Sequence, residues 1–174
     1  MSMCQISDKL IYNVVEYELY QYNYPMNGYF KLYPDKKIPE PIMTFSNNWR
    51  GYTALFTFID NEFILEDIFV YSKIHPINED EIKKIKKEKD RLNYFFSNCG
   101  YKSVKYLFVN EKEPVLKIDW YNGLLEGFCE EEEKMIAVQL KDGKIIREKI
   151  FNIVEYNQFH ETKWTDILWN YMKE

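Results

Sequence analysis

The sequence predicts an α+β fold that consists mainly of antiparallel β-sheet. Aromatic side chains make up 18% of the 174 residues, with 15 Tyr and 12 Phe against only 6 Gly. Flat side chains of this kind fit well on pleated sheet surfaces. Apolar and polar residues alternate over several short segments, and dipeptides typical of tight turns separate these segments. One segment near the middle has helical spacing instead.

Length and composition narrow the class of protein. A chain of 174 residues favours one domain, spanning 1–174, because domains commonly contain roughly 100–200 residues. With 46% apolar and 29% charged residues, the composition is that of a folded globular protein and excludes the disordered class. The net charge of −5 argues against a nucleic-acid partner, which would demand a basic surface.

Cysteine usage and hydropathy predict a cytoplasmic protein. Cys4, Cys99 and Cys129 are an odd number at wide spacing, so they indicate neither a disulfide framework nor a zinc site. The first twenty residues lack the basic and apolar regions of a secretory signal. No apolar run approaches the roughly 20 residues that cross a bilayer. We therefore expect no membrane partner and no cofactor.

The N-terminal third predicts a hairpin followed by a short helix. Residues 9–22 carry apolar positions on either side of a break at residues 13–16, which indicates two strands around a tight turn or one bulged strand. The hairpin is the preferred interpretation. Pro25 is suited to the first turn of a helix because its missing N–H would be unpaired there anyway. The spacing predicts a helix near 25–33, and the prolines between residues 34 and 41 then predict a loop.

The stretch from Thr44 to Val70 predicts the hairpin around which the chain is organised. A corner at Trp49-Arg50-Gly51 leads into an alternating strand, and Asp60-Asn61 supplies residues that tolerate the left-handed backbone of a hairpin turn. The returning strand, residues 63–71, has apolar residues on both faces. This pattern favours a position inside the sheet.

A long helix is predicted at about 78–99. Asn78 is a favourable N-cap, acidic residues fill the following turn, and Gly100 is suited to a left-handed C-cap. Apolar residues recur at helical spacing and predict a buried stripe. The lysines between residues 83 and 89 alternate with acidic residues, which favours a solvated outer face over a nucleic-acid site.

The second half predicts further strands and a second hairpin. Glu130 to Glu133 are four consecutive carboxylates that we expect in a turn or strand end facing water. The other predicted elements are a strand at 101–109, a strand or strand pair at 115–125 broken near Asn122-Gly123, a hairpin at 135–153 turning at Asp142-Gly143, and a short helix near 161–172.

No motif in the sequence demands a catalytic chemistry. Neither His75 nor His160 is paired with a nucleophile, and no phosphate-loop, zinc-protease or nucleophile-elbow string occurs. Arg50 is the most informative polar residue, because an Arg beside a Trp can stack on an aromatic ring, hold a carboxylate or face a ligand. A structural role, with the guanidinium held by an Asp or Glu, is the favoured interpretation.

Several segments resemble a family of uncharacterised bacterial single-domain proteins. They occur in the same order here: ISDKLIYN, GYFKLYPDKKIP, NNWRGYTALFTFIDNEFILEDI, DWYNGLL and KDGKII. The WRGY block followed by strand, turn and strand is the most specific part, whereas the segment between Tyr71 and Pro114 is extra. The resemblance implies one domain and carries no catalytic residues. Small acidic bacterial proteins of this kind are similar to immunity proteins that neutralise a toxin.

We therefore expect a non-enzymatic binding protein, most concretely an immunity protein that occludes a basic toxin domain. Its acidic balance and abundant Tyr and Trp favour this hypothesis. The residues predicted to bind are Trp49, Arg50, Tyr52 and Trp120. Two alternatives stay open: a hydrolase whose site assembles only in three dimensions, and a structural or ligand-sensing module with an aromatic pocket beside Arg50.

Overall fold

A computed structural model describes residues 6–20, 24–43, 48 and 50–152. These residues form nine strands, three short α-helices and one 3-10 turn. The strands are β1 (Lys9–Tyr12), β2 (Val15–Leu19), β3 (Thr53–Ile59), β4 (Glu62–Lys73), β5 (Cys99–Ser103), β6 (Leu116–Lys117), β7 (Gly123–Cys129), β8 (Lys134–Lys141) and β9 (Lys144–Asn152). The helices are α1 (Pro25–Leu32), α2 (Glu79–Lys84) and α3 (Glu88–Ser97), and the 3-10 turn is Lys105–Leu107.

All nine strands belong to one sheet, and seven of them form a closed ring. The ring runs β3, β1, β2, β7, β8, β9, β4, and β4 then pairs with β3. Every pairing is antiparallel except that between β1 and β3. The ring closes between β4 and β9 through one residue pair, Glu62 with Lys144. The predicted α+β fold with a mainly antiparallel sheet is confirmed.

The β3–β4 hairpin lies at the centre of this arrangement, as the sequence predicts. Phe69 of β4 pairs with Thr53 of β3 on one edge and with Ser103 of β5 on the other. Farther along the same edge, β4 pairs with β6 and, through Glu62, with β9. β4 is therefore an interior strand. It is also buried on both faces, with Phe63 and Leu65 on one face and Ile64 on the other.

Tight turns of the predicted kind close three hairpins. Each turn has two central residues with positive φ, the requirement of a type I′ turn. These pairs are Asn13-Val14, Asp60-Asn61 and Asp142-Gly143. The hairpins predicted at residues 9–22, 44–70 and 135–153 are thereby confirmed in their described parts, and the acidic residues 130–133 form the exposed turn between β7 and β8.

The main hydrophobic core draws side chains from α1 and from six strands of the ring. Tyr17, Phe56, Phe63 and Leu65 are among its fully buried members, and burying a side chain of this size contributes about 1.5–3 kcal/mol. A smaller cluster, centred on Met135, Ala137 and Phe151, lies on the other face of β8, because successive side chains of a strand point in opposite directions.

The prediction of one long helix at about 78–99 is wrong. The segment forms two short helices, α2 and α3, separated by extended residues at Ile85 and Lys87. Five lysines between residues 83 and 89 would be neighbours on a continuous helix, and like charges at such spacings are destabilising. Arg91 donates to the carbonyl of Ile85, a group that a continuous helix would use itself.

The apolar stripe predicted for this segment is not buried. Neither α2 nor α3 contains a buried residue, and Leu92 and Phe96 are 50% and 40% exposed. Helical spacing indicates only which side chains share a face; burial also requires a neighbour against that face. The N-cap prediction is confirmed, since the Asn78 side chain accepts from the N–H groups of Asp80 and Glu81.

Two predicted strand segments differ from the structure, and one predicted helix lies outside the described residues. The strand predicted at 101–109 ends at Ser103, because β6 occupies the next part of the β4 edge and the chain turns inward at Val104. The segment predicted at 115–125 becomes β6 and β7, which do not pair with each other. The helix near 25–33 is confirmed as α1. The helix near 161–172 lies outside the described residues.

Among the described helices, none has the length and apolar character needed to span a membrane.

Candidate binding groove

The Arg50 side chain is buried in an internal clamp. Its Nη1 donates to both carboxylate oxygens of Asp8 at 3.0 Å, and its Nη2 donates to the carbonyl oxygen of Ile6 at 3.0 Å. The side chains of Arg50 and Asp8 are 2% and 0% exposed. Asp8 also accepts from the N–H of Ala54 at 2.9 Å. The clamp therefore ties the start of the described chain to β3.

Two tyrosine rings enclose the guanidinium. The Cζ atom of Arg50 lies 4.1 Å from the ring centroid of Tyr24 and 4.8 Å from that of Tyr52, within the range of cation–π attraction. Burial lowers the pKa of Arg50, but the carboxylate of Asp8 outweighs this effect and the pKa is raised overall. Burial, followed by the negative charge of Asp8, raises the pKa of Tyr52 to about 12.

This geometry confirms the interpretation of Arg50 as a structural residue held by a carboxylate. The carboxylate belongs to Asp8, which no pattern in the sequence singles out. Tyr52 is buried beside Arg50, and its hydroxyl donates to Oδ1 of Asn27 in α1 at 3.3 Å. Trp49 lies outside the described residues. A binding role for Trp49, Arg50 and Tyr52 stays a prediction.

Trp120 lies on a different side of α1. Its indole N–H donates to the carbonyl oxygen of Pro25 at 2.8 Å, and its ring lies against Gly28. A Cβ at Gly28 would come within 2.4 Å of Cδ1 of Trp120, so a larger residue there would displace the indole. Trp120 is therefore held in one position by the first turn of the helix.

An open groove of about 850 Å³ extends from Trp120 between α1 and residues 106–120. Tyr29 lies at its centre, with its ring centroid 5.4 Å from those of both Trp120 and Phe108. Tyr33 packs against Tyr29 with a centroid distance of 4.8 Å. Tyr33 and Tyr106, which both line the groove, are 51% and 65% exposed. The groove thus combines a fixed aromatic floor with exposed aromatic walls.

No protein-family model, curated protein or solved structure matches this chain. The function is therefore inferred from the groove itself. Of Arg50, Tyr52 and Trp120, the predicted binding residues that the structure describes, Trp120 lines the groove.

Charged side chains also line the groove. Lys36 and Lys117 supply positive charge, and Glu113 and Asp119 supply negative charge. Lys117 forms an ion pair with Glu62, which lies outside this groove. Apart from this ion pair, the described residues that line the groove carry two carboxylates and one ammonium group.

Sequence reasoning missed most of the groove. The predicted strand at 101–109 placed Tyr106 in a sheet, whereas the 3-10 turn at Lys105–Leu107 presents it to solvent. Tyr33 was recognised only as part of the helical spacing of α1. A usable signal was the presence of two proline-containing loops, residues 34–41 and 110–114, since binding residues concentrate on loops held by a rigid scaffold.

The described residues contain no group of three or more His, Cys, Asp or Glu side chains arranged to hold a metal ion. His75 is exposed, and Cys99 and Cys129 are free thiols.

Proposed function

We propose that this chain is a non-enzymatic binding protein that holds a partner protein in the aromatic groove. The observation that carries the proposal is the exposure of Tyr33 and Tyr106 on walls beside a fixed floor of Tyr29 and Trp120. Tyrosine and tryptophan are enriched at protein interfaces, because each buries a large area while losing few rotatable bonds. Energetically dominant contacts also form where aromatic side chains enter well-packed pockets.

An immunity protein is the most concrete form of this proposal. In this role the chain would cover the working surface of a toxin domain, and no catalytic group is required of it. The net charge of −5 supports a basic partner, because opposite charge accelerates encounter and disfavours acidic competitors. The resemblance of the WRGY block to bacterial single-domain proteins is a second, weaker support.

The test begins with the tagged full-length chain and the products of the genes adjacent to its own. Each product is measured for binding and for growth inhibition that co-expression of the chain relieves. The Tyr106→Ala variant of the chain is then compared with Tyr101→Ala, a matched control. Tyr101 is 46% exposed on β5 and does not line the groove.

We expect Tyr106→Ala to weaken binding by about 30-fold, the equivalent of about 2 kcal/mol at an interface hot spot. Tyr101→Ala should stay within about threefold of the parent chain, since most surface residues outside an interface contribute little. Equal effects of the two substitutions, or no effect of either, would refute the groove as the binding surface. Growth inhibition that the chain never relieves would refute the immunity role.

A further inference from the structure

The groove places two carboxylates beside exposed aromatic rings. Asp119 directly precedes Trp120, Glu113 lies on the loop before β6, and both line the groove with Tyr33 and Tyr106. Both carboxylates are exposed, so they are accessible to a partner side chain that enters the groove.

The positive charge of the groove is smaller than its two lysines indicate. Lys117 forms an ion pair with Glu62, which neutralises part of its field. Lys36 follows α1 and lines the same groove. Counted together with Glu62, the described charged side chains at the groove carry two positive and three negative charges, a net charge of the same sign as the −5 of the whole chain.

Aromatic faces and carboxylates attract the same kind of side chain. The π-face of Tyr or Trp is negative and attracts an ammonium or guanidinium group, and a nearby carboxylate adds direct Coulomb attraction. The methylene stem of Lys or Arg also packs well along an aromatic ring. An acidic partner side chain would instead face Asp119 and Glu113 and be repelled.

We infer that the groove recognises a lysine or arginine side chain of a basic partner protein. This inference rests on the proposed function and adds the chemistry of the partner to it. The aromatic rings hold the stem of the partner side chain, and Asp119 and Glu113 attract its charged end.

The probe is a fluorescein-labelled peptide of ten lysines, compared with the same peptide acetylated on every lysine. Fluorescence anisotropy measures the binding of each peptide to the full-length chain. The double variant E113Q/D119N removes the two groove carboxylates. The control E130Q/E131Q removes two exposed carboxylates from the β7–β8 turn and changes the net charge by the same amount, from −5 to −3.

We expect the lysine peptide to bind and the acetylated peptide to bind at least about tenfold more weakly. E113Q/D119N should weaken binding of the lysine peptide by about tenfold, and E130Q/E131Q by less than about twofold. Equal losses in the two double variants would overturn the inference, because general attraction to an acidic protein would then explain the binding. Absence of binding by the lysine peptide would overturn it as well.

The same variants separate this inference from the proposed function. If the partner found by co-expression loses affinity with Tyr106→Ala but not with E113Q/D119N, the groove is the binding surface and its preference for a cation is wrong. If the partner is insensitive to Tyr106→Ala, the proposed function fails whatever the peptides show.

Discussion

Replacing Arg50 by methionine should lower the free energy of unfolding by about 3–5 kcal/mol, the cost of leaving a buried charge without its partner. In the folded chain the Asp8 side chain is 0% exposed and accepts two hydrogen bonds from Arg50. After the substitution, the donor to Asp8 that remains among the described residues is the N–H of Ala54 at 2.9 Å. Water cannot replace the lost donors without opening the clamp, so Asp8 must ionise at a high cost or take up a proton.

Two further variants separate the contributions of charge and of hydrogen-bond geometry to this cost in free energy. Arg50→Lys keeps the positive charge but loses the hydrogen bond to the carbonyl oxygen of Ile6 and the planar contact with Tyr24 and Tyr52. We expect it to cost about 1–3 kcal/mol. The double variant D8N/R50M removes both charges of the clamp and should be more stable than Arg50→Met alone by at least about 1 kcal/mol.

Urea unfolding followed by intrinsic fluorescence and far-UV circular dichroism provides the free energies. Asp80→Asn serves as the control, since its ion pair with Lys83 has side chains that are 82% and 73% exposed and should contribute less than about 0.5 kcal/mol. A cost below about 1 kcal/mol for Arg50→Met, or a double variant no more stable than Arg50→Met, would refute the description of this pair as a structural clamp.

Three other predictions concern backbone strain and a buried carboxyl. Val14→Gly should raise the free energy of unfolding, measured in urea, by about 1 kcal/mol, because Val14 has a φ of 63° in a hairpin turn and is 98% exposed. An unchanged free energy of unfolding would contradict the assignment of strain to Val14. Gly143→Ala should cost more than about 2 kcal/mol, since its Cβ would lie 2.3 Å from the carbonyl oxygen of Ile118. Gly123→Ala should cost less, because its Cβ meets no atom within 4 Å and only the backbone strain of a φ of 125° remains. Burial raises the pKa of Glu126 from 4.5 to about 8. Between pH 4.5 and about pH 8, Glu126 therefore binds fewer protons in the unfolded chain than in the folded chain, and the free energy of unfolding should fall as pH rises. Glu126→Gln should flatten that slope, and an unchanged slope in urea unfolding at a series of pH values would contradict the assignment.

The hairpins were predictable because local signals determine them. Asp60-Asn61 and Asp142-Gly143 combine residues that tolerate positive φ with alternating segments on both sides, and each forms the predicted turn. The interior position of β4 followed from its two apolar faces. The hairpin at Asn13-Val14 was predicted from the break in apolar positions, although Val is a strained choice for that turn.

The candidate site was only partly predictable. A residue pattern indicated that Arg50 needs a carboxylate, but no spacing rule connects it with Asp8, which lies 42 residues earlier. Trp120 was selected for its residue type, yet its neighbour Tyr29 lies 91 positions before it in the sequence and reaches it only through the fold. The groove was missed because its walls come from a 3-10 turn and from loops without a periodic pattern.

By itself the sequence determined the local structure: where the hairpins turn, where α1 begins, and which strand is buried on both faces. These properties depend on a few neighbouring residues and on their backbone preferences. The tertiary structure decided the closure of the ring, the division of the segment at 78–99 into two exposed helices, the pairing of Asp8 with Arg50 and the formation of the aromatic groove. Those features depend on which distant surfaces meet, because burial and electrostatic pairing are properties of contacts between segments rather than of any one segment.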